Sequence, residues 1–361
     1  MRVHHSDHLE DSNNLFLNVN TRRRVAAVIL RRRLFVPGTL LALLFASALA
    51  HATASRAQDA RKSRITTASG VRVRERPDTN AGESAKLPLG VVVEELEQSK
   101  EKAKVGTSED YWYLVAAPGG AKGWVFGGLT APFDAARREE IYQSIASERL
   151  ANKAASFADL TDLVHFLDRA AKEVTRRDAL AELEFARLNA LGRSLSSIPI
   201  EQHENPTYKQ WTTERDSEIV YSEPSGQWYV RASLLWDLQK KYRDLPVAER
   251  IAWEAAETPL PGECEGDLGC TLFYASATHG RYLKLYPRGA HADAALDAVA
   301  EVFNAVVEDI RGSNHVYEVA AEEKADFKKT LATLREQLTP AASPKAARLL
   351  KQLDEIAGHF H

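Results

Sequence analysis

The chain has 361 residues, 44% hydrophobic and 27% charged, which is the composition of an ordinary globular protein with enough apolar residues for a core. At about 150 residues per domain, this length predicts roughly two domains. The whole chain carries a formal charge of −3, but residues 1–57 hold eight arginines and three acidic residues, so the remainder carries −8. Such an acidic body argues against nucleic acid as a partner, because phosphate binding requires a basic face.

The N-terminal segment has the three parts of an export signal. A basic region ends at Arg33, an apolar run follows from Leu34 to Ala50, and small residues at A-x-A spacing come next. The apolar run is shorter than the roughly 20 residues that a membrane-spanning helix needs. We therefore expect residues 1–57 to be an N-terminal extension and export signal, with the signal at about 25–57. The protein would then be periplasmic or extracellular, and only an uncleaved signal would contact the membrane.

Residues 65–132 have the pattern of β-strands and follow a short polar linker at residues 58–64. The segment "VRVRERP" alternates apolar and charged residues, and "YWYLVAA" and "GWVFGGL" are rich in aromatic and branched residues. Turns that contain glycine separate these segments. Several short strands joined by glycine turns predict a small β-barrel.

Four short motifs follow one another in this segment. They are Val71, Arg72, Val73, Arg74 and Pro77; then Leu87, Gly90 and Val93; then Trp112 and Val115; then Gly123, Trp124 and Val125. In these motifs the segment resembles a bacterial SH3 (SH3b) domain. The resemblance implies an SH3-like barrel that binds a ligand, either peptidoglycan peptide or an envelope protein. One departure is the acidic and lysine-rich stretch 97–110, which is longer than the loop usual at that place.

The aromatic residues of the barrel are candidates for ligand contact. In a strand, Trp112 points to the opposite side from Tyr111 and Tyr113, and one side must be core. We expect Trp112 and Val125 to lie in the core, which leaves the two tyrosines toward the surface, and packing inside the barrel is the alternative. The candidate ligand-binding residues are then Arg74, Tyr111, Tyr113 and Trp124.

From residue 133 to residue 361 the apolar residues recur at helical spacing. Ser156 and Asp159 form a capping pair at the start of one predicted helix. The next predicted helix runs from Asp178 to Gly192. Residues 193–229 are irregular and contain several prolines, but their aromatic residues indicate that this loop is packed.

An internal repeat lies in the second half of the chain. The segments "WDLQKKYRDLPVAERIAWEAA" and "GRYLKLYPRGAHADAALDAVA" align with a period of 44 residues, with Tyr242 on Tyr286 and Ala248 on Ala292. Each copy predicts two helices joined by a short turn, and the second copy resembles tetratricopeptide-type repeats. We therefore expect an α+β multidomain chain. A small SH3-like β-barrel at 65–132 precedes a larger all-α helical-repeat domain at 133–361, which would act as a scaffold.

Only two cysteines occur in the chain, Cys264 and Cys270, in an acidic loop between the two repeat copies. A disulfide is the favoured interpretation because an exported protein enters an oxidising compartment. Closing a loop of this length is worth about 2.4 kcal/mol on the chain-entropy model. Free thiols, a metal site and a redox pair are the alternatives. Zinc, however, needs four ligands, and redox pairs are more often C-x-x-C at a helix start.

Catalytic signatures are absent from the sequence, since it contains neither a glycine-rich phosphate loop nor a G-x-S-x-G elbow. We expect a non-enzymatic protein with no cofactor and no metal. The alternative is a hydrolytic enzyme with an acidic site in residues 193–270. Glu204, Glu214 or the acidic loop that contains the two cysteines would then supply the carboxylates for general acid–base catalysis.

A second possible metal site consists of Asp162, His165 and Asp168, which lie three residues apart on one predicted helix. Side chains at this spacing share a helix face, so they could ligate an ion. A solvated helix face is the more ordinary interpretation of the same pattern.

Overall fold

The computed structural model describes residues 62–312 and 316–360, and both ranges lie in one compact unit. The predicted extension and export signal at 1–57, the start of the predicted linker and His361 lie outside the described residues. The described part is an α+β chain in which a curled β-sheet precedes a larger helical region. The fold class predicted from the sequence is therefore confirmed.

A seven-stranded antiparallel sheet forms the first part, in the order β3-β2-β6-β5-β4-β1-β7. The strands are β1 Ser63–Thr66, β2 Val71–Arg74, β3 Glu83–Leu87, β4 Val92–Val105, β5 Ser108–Ala116, β6 Lys122–Phe126 and β7 Thr130–Phe133. Residues 97–110, expected to be a long loop, instead extend β4 and β5 into a hairpin. The polar residues of this stretch can continue the ladder because most of its side chains are in water.

The interior of the sheet is built by residues at period two. Those buried together are Val71, Val73, Leu87, Val93, Tyr113, Val115, Ala117 and Val125. Six of them are apolar positions of the SH3b motifs, namely Val71, Val73, Leu87, Val93, Val115 and Val125. The motif spacing therefore marks the inward face of five different strands.

Helices follow the sheet from residue 138 to residue 359. They are α1 Arg138–Ala151, α2 Phe157–Glu173, α3 Arg177–Ser196, α4 Pro206–Glu214, α5 Ala232–Lys241, α6 Val247–Glu257, α7 Leu268–Ala275, α8 Arg281–Leu285, α9 Ala292–Arg311, α10 Lys324–Leu338 and α11 Pro344–His359. The predicted capping box at the start of α2 is present, with Ser156 and Asp159 bonded reciprocally. Within 62–312 and 316–360, none of the helices has both the length and the apolarity to cross a membrane.

The segment predicted to be irregular, 193–229, contains regular elements. The helix α3 continues to Ser196, α4 begins with Asn205 as its cap, and β8 Ile219–Ser222 pairs with β9 Gln227–Val230 in a hairpin. Trp211 of α4 is buried, and its Nε1 donates to Ser194 Oγ at 3.0 Å. The expectation that this segment is packed is therefore correct, whereas its irregularity is not.

The two segments aligned as repeat copies have the same pattern of backbone hydrogen bonds at their turns. Tyr242 and Tyr286 follow the last residues of α5 and α8, and each donates its backbone N–H to the residue four positions earlier. Leu245 and Gly289, also 44 residues apart, donate to the carbonyls of these tyrosines at 2.8 and 3.0 Å. The copies contact each other, since Gln239 Nε2 donates to Tyr286 Oη at 3.0 Å.

Besides the interior cluster of the sheet, two residues of the sheet region belong to the hydrophobic core of the helices. Ile65 of β1 and Leu89 of the β3–β4 turn are fully buried among residues of the helical region. The Leu89 N–H donates to Asp162 Oδ2 at 2.9 Å, and the Leu89 carbonyl accepts from Arg169 Nη2 at 2.8 Å. We refer to these two bonds from α2 as the Leu89 clamp. The boundary near residue 132 is thus a change of secondary structure and not a gap in the packing.

The glycine of the second SH3b motif lies at this junction. Gly90 has φ of +77°, a left-handed conformation that glycine adopts without strain. A Cβ at this position would overlap two carbons of the Phe166 ring and lie 3.1 Å from a third. The motif glycine therefore allows the turn to approach α2 closely.

Candidate ligand-binding surface of the barrel

The four candidate ligand-binding residues are divided between the two faces of the sheet. In the register of β5 and β6, Tyr113 is opposite Val125, and Leu114 is opposite Trp124. Residues directly opposite each other in an antiparallel ladder share a face. Tyr111 and Tyr113 accordingly pack with the interior cluster, whereas Trp124 is on the outer face.

Tyr113 is buried, with 8% of its surface exposed, so the expectation that it faces solvent is wrong. The guanidinium carbon of Arg64 lies 3.7 Å from the centroid of the Tyr113 ring. Arg64 is itself 6% exposed, and its Nε donates to Thr130 Oγ1 at 2.8 Å. Its Nη1 lies 3.3 Å from Glu95 Oε2, so this interior cation is paired. Tyr113 therefore stabilises the barrel from within, through a cation–π contact.

Tyr111 lies toward the end of the same inner face and is half-buried. The Nζ of Lys102, across the hairpin, is 5.5 Å from its ring centroid. This contact belongs to the extended part of the β4–β5 hairpin. The location of Tyr111 agrees with the alternative interpretation, in which the tyrosines pack in the barrel.

The outer face of β5 and β6 carries a second set of aromatic residues. Trp112 is buried there against Phe126, with ring centroids 5.6 Å apart and an edge-on arrangement. The prediction that Trp112 and Val125 are buried is confirmed, but they are on opposite faces of the sheet. Both sides of β5 are buried at Trp112 and Tyr113, so the alternation of residues along the strand does not separate core from surface there.

Trp124 is half-buried on this outer face, between Leu114 of β5 and Arg74 of β2. Arg74 is buried, and its Nη1 donates to the Ala81 carbonyl at 2.7 Å. The nearby Arg72 is exposed, with its Nε 3.2 Å from Glu83 Oε2. We define the Trp124 face as Trp124, Leu114 and the adjoining edge of β2. Its aromatic and aliphatic side chains are half-buried, and Arg74 holds the loop beside them.

The residues that could have formed a metal site on α2 have other partners. Asp162 belongs to the Leu89 clamp, His165 lies edge-on to Trp211, and Asp168 binds two arginines. Within 62–312 and 316–360, no group of three or more histidine, cysteine or acidic residues is placed to hold a metal ion. The interpretation of these residues as metal ligands thus has no geometric support.

Asp168 is part of an ion network between α2, α3 and the start of β8. Arg187 bonds both Asp168 and Glu218, and the two Glu218 contacts are 2.6 and 3.0 Å long. Arg215 reaches the same two carboxylates at 3.0 and 3.1 Å. Burial acts to raise the pKa of Asp168, but the bonds and charges of the two arginines outweigh it and lower that pKa below its ordinary value. This network connects α2 and α3 to the segment that leads into the β8–β9 hairpin.

The carboxylates of the alternative hydrolase are also engaged. Glu204 accepts from Lys209 Nζ at 2.6 Å, and Glu214 accepts from Gln210 Nε2 at 2.8 Å. The Lys209 ammonium lowers the pKa of Glu204 through its hydrogen bond and its charge. A carboxylate with a lowered pKa is a poor general acid at neutral pH.

The predicted disulfide between Cys264 and Cys270 is present. Cys270 lies in the first turn of α7, and its N–H donates to Asp267 Oδ1, which caps this helix. The bridge therefore fixes the loop that leads from α6 into α7, between the two repeat copies.

The sequence did not predict the roles of two residues that position the barrel. Arg64 was assigned to the polar linker because its neighbours are polar, yet it lies in β1 and binds inside the barrel. The alternation in "SRIT", where Ile65 is buried toward the helices, is the only signal that could have revealed it. Asp162 gave no signal of its role, because its partner is a backbone group 73 residues away.

These features define a class of protein module, a small curled antiparallel sheet with an aromatic patch on its outer face. Residues 69–131 match the family model of the bacterial SH3 domain. The match covers β2 to β6 and the start of β7, leaves out β1, and does not extend into the helical region. Neither the curated proteins nor the solved structures contain a match to this chain.

Proposed function

We propose that the protein is an exported, non-enzymatic binding protein of the cell envelope. Its SH3b barrel binds cell-wall peptide or a protein partner, and its helical region, with tetratricopeptide-like repeats, acts as a scaffold. The observation that carries this proposal is the bacterial SH3 match of residues 69–131, a family with that kind of ligand. The disulfide supports a periplasmic or extracellular location, because such bridges persist in oxidising compartments.

Within the barrel, the Trp124 face is the best place for this contact. Trp124 keeps part of its surface exposed and adjoins Leu114, whereas Tyr113 is buried against Arg64 in the interior. An aromatic ring gives a large contact area at a small entropic cost, which suits a flexible peptide. Arg74 and Tyr113 would then act by holding the barrel, and Tyr111 would lie apart from the contact.

We assign no catalytic role to the helical region. The bonds of Glu204 to Lys209 and of Glu214 to Gln210 support this assignment. The acidic body disfavours nucleic acid and offers no long-range attraction to anionic wall polymers. Binding to the wall would therefore depend on the Trp124 face itself and change little with salt.

Sedimentation of the full chain with purified peptidoglycan tests this proposal. We expect the wild-type chain to co-sediment and the Trp124→Ala variant to bind about tenfold more weakly, as is typical for removal of a central tryptophan. Trp228→Ala, which removes another half-buried tryptophan in the helical region, is the matched control and should bind like the wild type. Far-ultraviolet circular dichroism of each variant checks that it is folded.

If the wild-type chain stays in the supernatant at every salt concentration, the cell-wall ligand is wrong. Capture of a periplasmic protein by the wild-type chain, but not by Trp124→Ala, would then favour the protein partner. Equal loss in Trp124→Ala and Trp228→Ala would contradict a role for the Trp124 face.

A further inference from the structure

A groove lies between α7 and α10 in the helical region, far along the chain from the barrel. Its volume is about 500 Å³, and its lining includes two phenylalanines and three carboxylates. Phe327 of α10 is buried in the core, but Phe273 of α7 is 55% exposed. In α7 the buried residues are Leu268, Leu272 and Ala275, so Phe273 is not needed to attach this helix to the core.

Local bonds fix one end of the groove. The disulfide and the Asp267 cap fix the start of α7. The segment before α10 pairs with the same loop, since the Glu318 N–H donates to the Gly266 carbonyl at 3.2 Å. The Leu268 N–H in turn donates to the Glu318 carbonyl at 3.0 Å. Two segments about fifty residues apart are thereby joined at one end of the groove.

Three carboxylates, which we call the acidic rim, line the apolar groove, and they are Asp267, Glu323 and Asp326. The lining includes one basic residue, Lys329. Each rim residue lies near a helix N-terminus, where a negative charge is favourable. Helix stability explains each carboxylate by itself, but not the exposed aromatic ring beside them.

The rim carboxylates also interact with one another. A hydrogen bond to Asp267 and the charge of that residue raise the pKa of Glu323 above its ordinary value. Like charges this close repel, and a positively charged group between them would relieve the repulsion. The negative charge of the rim therefore favours a positively charged occupant.

We propose that the α7–α10 groove binds a cationic peptide segment of a partner protein. One apolar side chain of the segment packs on Phe273, and its lysine or arginine side chains pair with the acidic rim. This mode combines an apolar anchor in a groove with charged contacts at its edge, as in many peptide complexes. The proposal goes beyond the barrel and does not require its ligand.

Fluorescence anisotropy with the full chain and labelled synthetic peptides tests this inference. The probe is a 14-residue peptide of lysines and leucines with the leucines at helical spacing. One control peptide has serine in place of leucine, and a second has glutamate in place of lysine. We expect the first peptide alone to bind, with an affinity that falls as salt rises.

Two variants of the groove separate specific binding from attraction to an acidic protein. Phe273→Ser removes the anchor and Asp326→Lys reverses one rim charge, and each should weaken binding about tenfold. Both side chains are exposed, so folding should be kept, and the melting temperature checks this. Glu101→Lys makes the same charge change on the barrel hairpin and should have no effect. Trp124→Ala should also bind the peptide normally, which separates this inference from the function of the barrel.

Several results would overturn the inference. One is the absence of binding to the wild-type chain at millimolar peptide, and another is equal binding of the serine peptide. Equal weakening by Asp326→Lys and Glu101→Lys would show attraction to the acidic body as a whole. Unchanged affinity of the Phe273→Ser variant for the peptide would show that Phe273 is not the anchor and that the groove is not the binding site.

Discussion

The junction between the barrel and the helices can be tested with a single methyl group. Gly90→Ala adds a Cβ where φ is +77° and where the Phe166 ring is already in place. Two costs therefore add at this position, the left-handed backbone and the overlap with the ring. Gly106→Ala is the matched control, because Gly106 has φ of +62° and a Cβ there would meet nothing within 4 Å.

The magnitudes follow from these two environments. Placing a residue with a Cβ in the left-handed region costs about 1–2 kcal/mol, and the lower entropy of the unfolded alanine chain returns about 0.4–1 kcal/mol. We therefore expect Gly106→Ala to lower the free energy of unfolding by about 1 kcal/mol or less. Overpacking of a well-filled core adds about 1–3 kcal/mol. Gly90→Ala should accordingly lose about 2–4 kcal/mol.

Urea denaturation of the full chain measures both changes as shifts of the midpoint at constant slope. Hydrogen exchange then locates the effect. In Gly90→Ala the amides of the β3–β4 turn and of α2 should exchange faster than in the wild type, because the Leu89 clamp joins them. In Gly106→Ala the increase should be confined to the tip of the β4–β5 hairpin.

The double variant Gly90→Ala, Phe166→Leu tests the cause of the larger loss. A smaller side chain relieves the overlap, so the two substitutions should be less destabilising together than the sum of their separate effects. Simple additivity, or a Gly90→Ala loss no greater than that of Gly106→Ala, would refute the reasoning.

Three further predictions concern bonds described above. Replacing both Cys264 and Cys270 with serine should lower the free energy of unfolding by about 2.4 kcal/mol, and an unchanged urea midpoint would contradict this. Arg64→Met should cost about 3 kcal/mol because it leaves Glu95 without its cation, and thermal unfolding measures it. Asp168 has a lowered pKa in the folded chain, so its stabilisation is present at neutral pH and is lost as the pH falls below about 4. Asp168→Asn should therefore have a lower melting temperature at pH 7 and a smaller drop from pH 7 to pH 3 than the wild type.

The apolar periodicity of the chain was sufficient to predict the architecture. Period two marked the barrel strands, period 3.6 marked helices such as α2, and the repeat of 44 residues located two equivalent turns. These signals are local, since each depends on which face of one element is buried. The disulfide was also predictable, because only two cysteines had to be paired.

The residues that were misplaced depend on contacts between distant segments. Tyr113 was expected at the surface because alternation assumes that one face is in water. Instead Tyr113 packs in the interior cluster against Arg64, while Trp112 on the opposite face packs against Phe126. Arg64 looked like part of a linker, since nothing nearby shows that Glu95 and Tyr113 will surround it. The short elements α4, β8 and β9 were missed because proline and glycine dominate the local pattern around them.

The Leu89 clamp has a mechanical consequence. Asp162 and Arg169 are two turns apart on one face of α2, and together they hold both polar groups of a single residue of the barrel. The barrel and the helical region are therefore joined by packed side chains and by these two hydrogen bonds. The ligands proposed for the two parts would then be bound at a fixed distance and orientation.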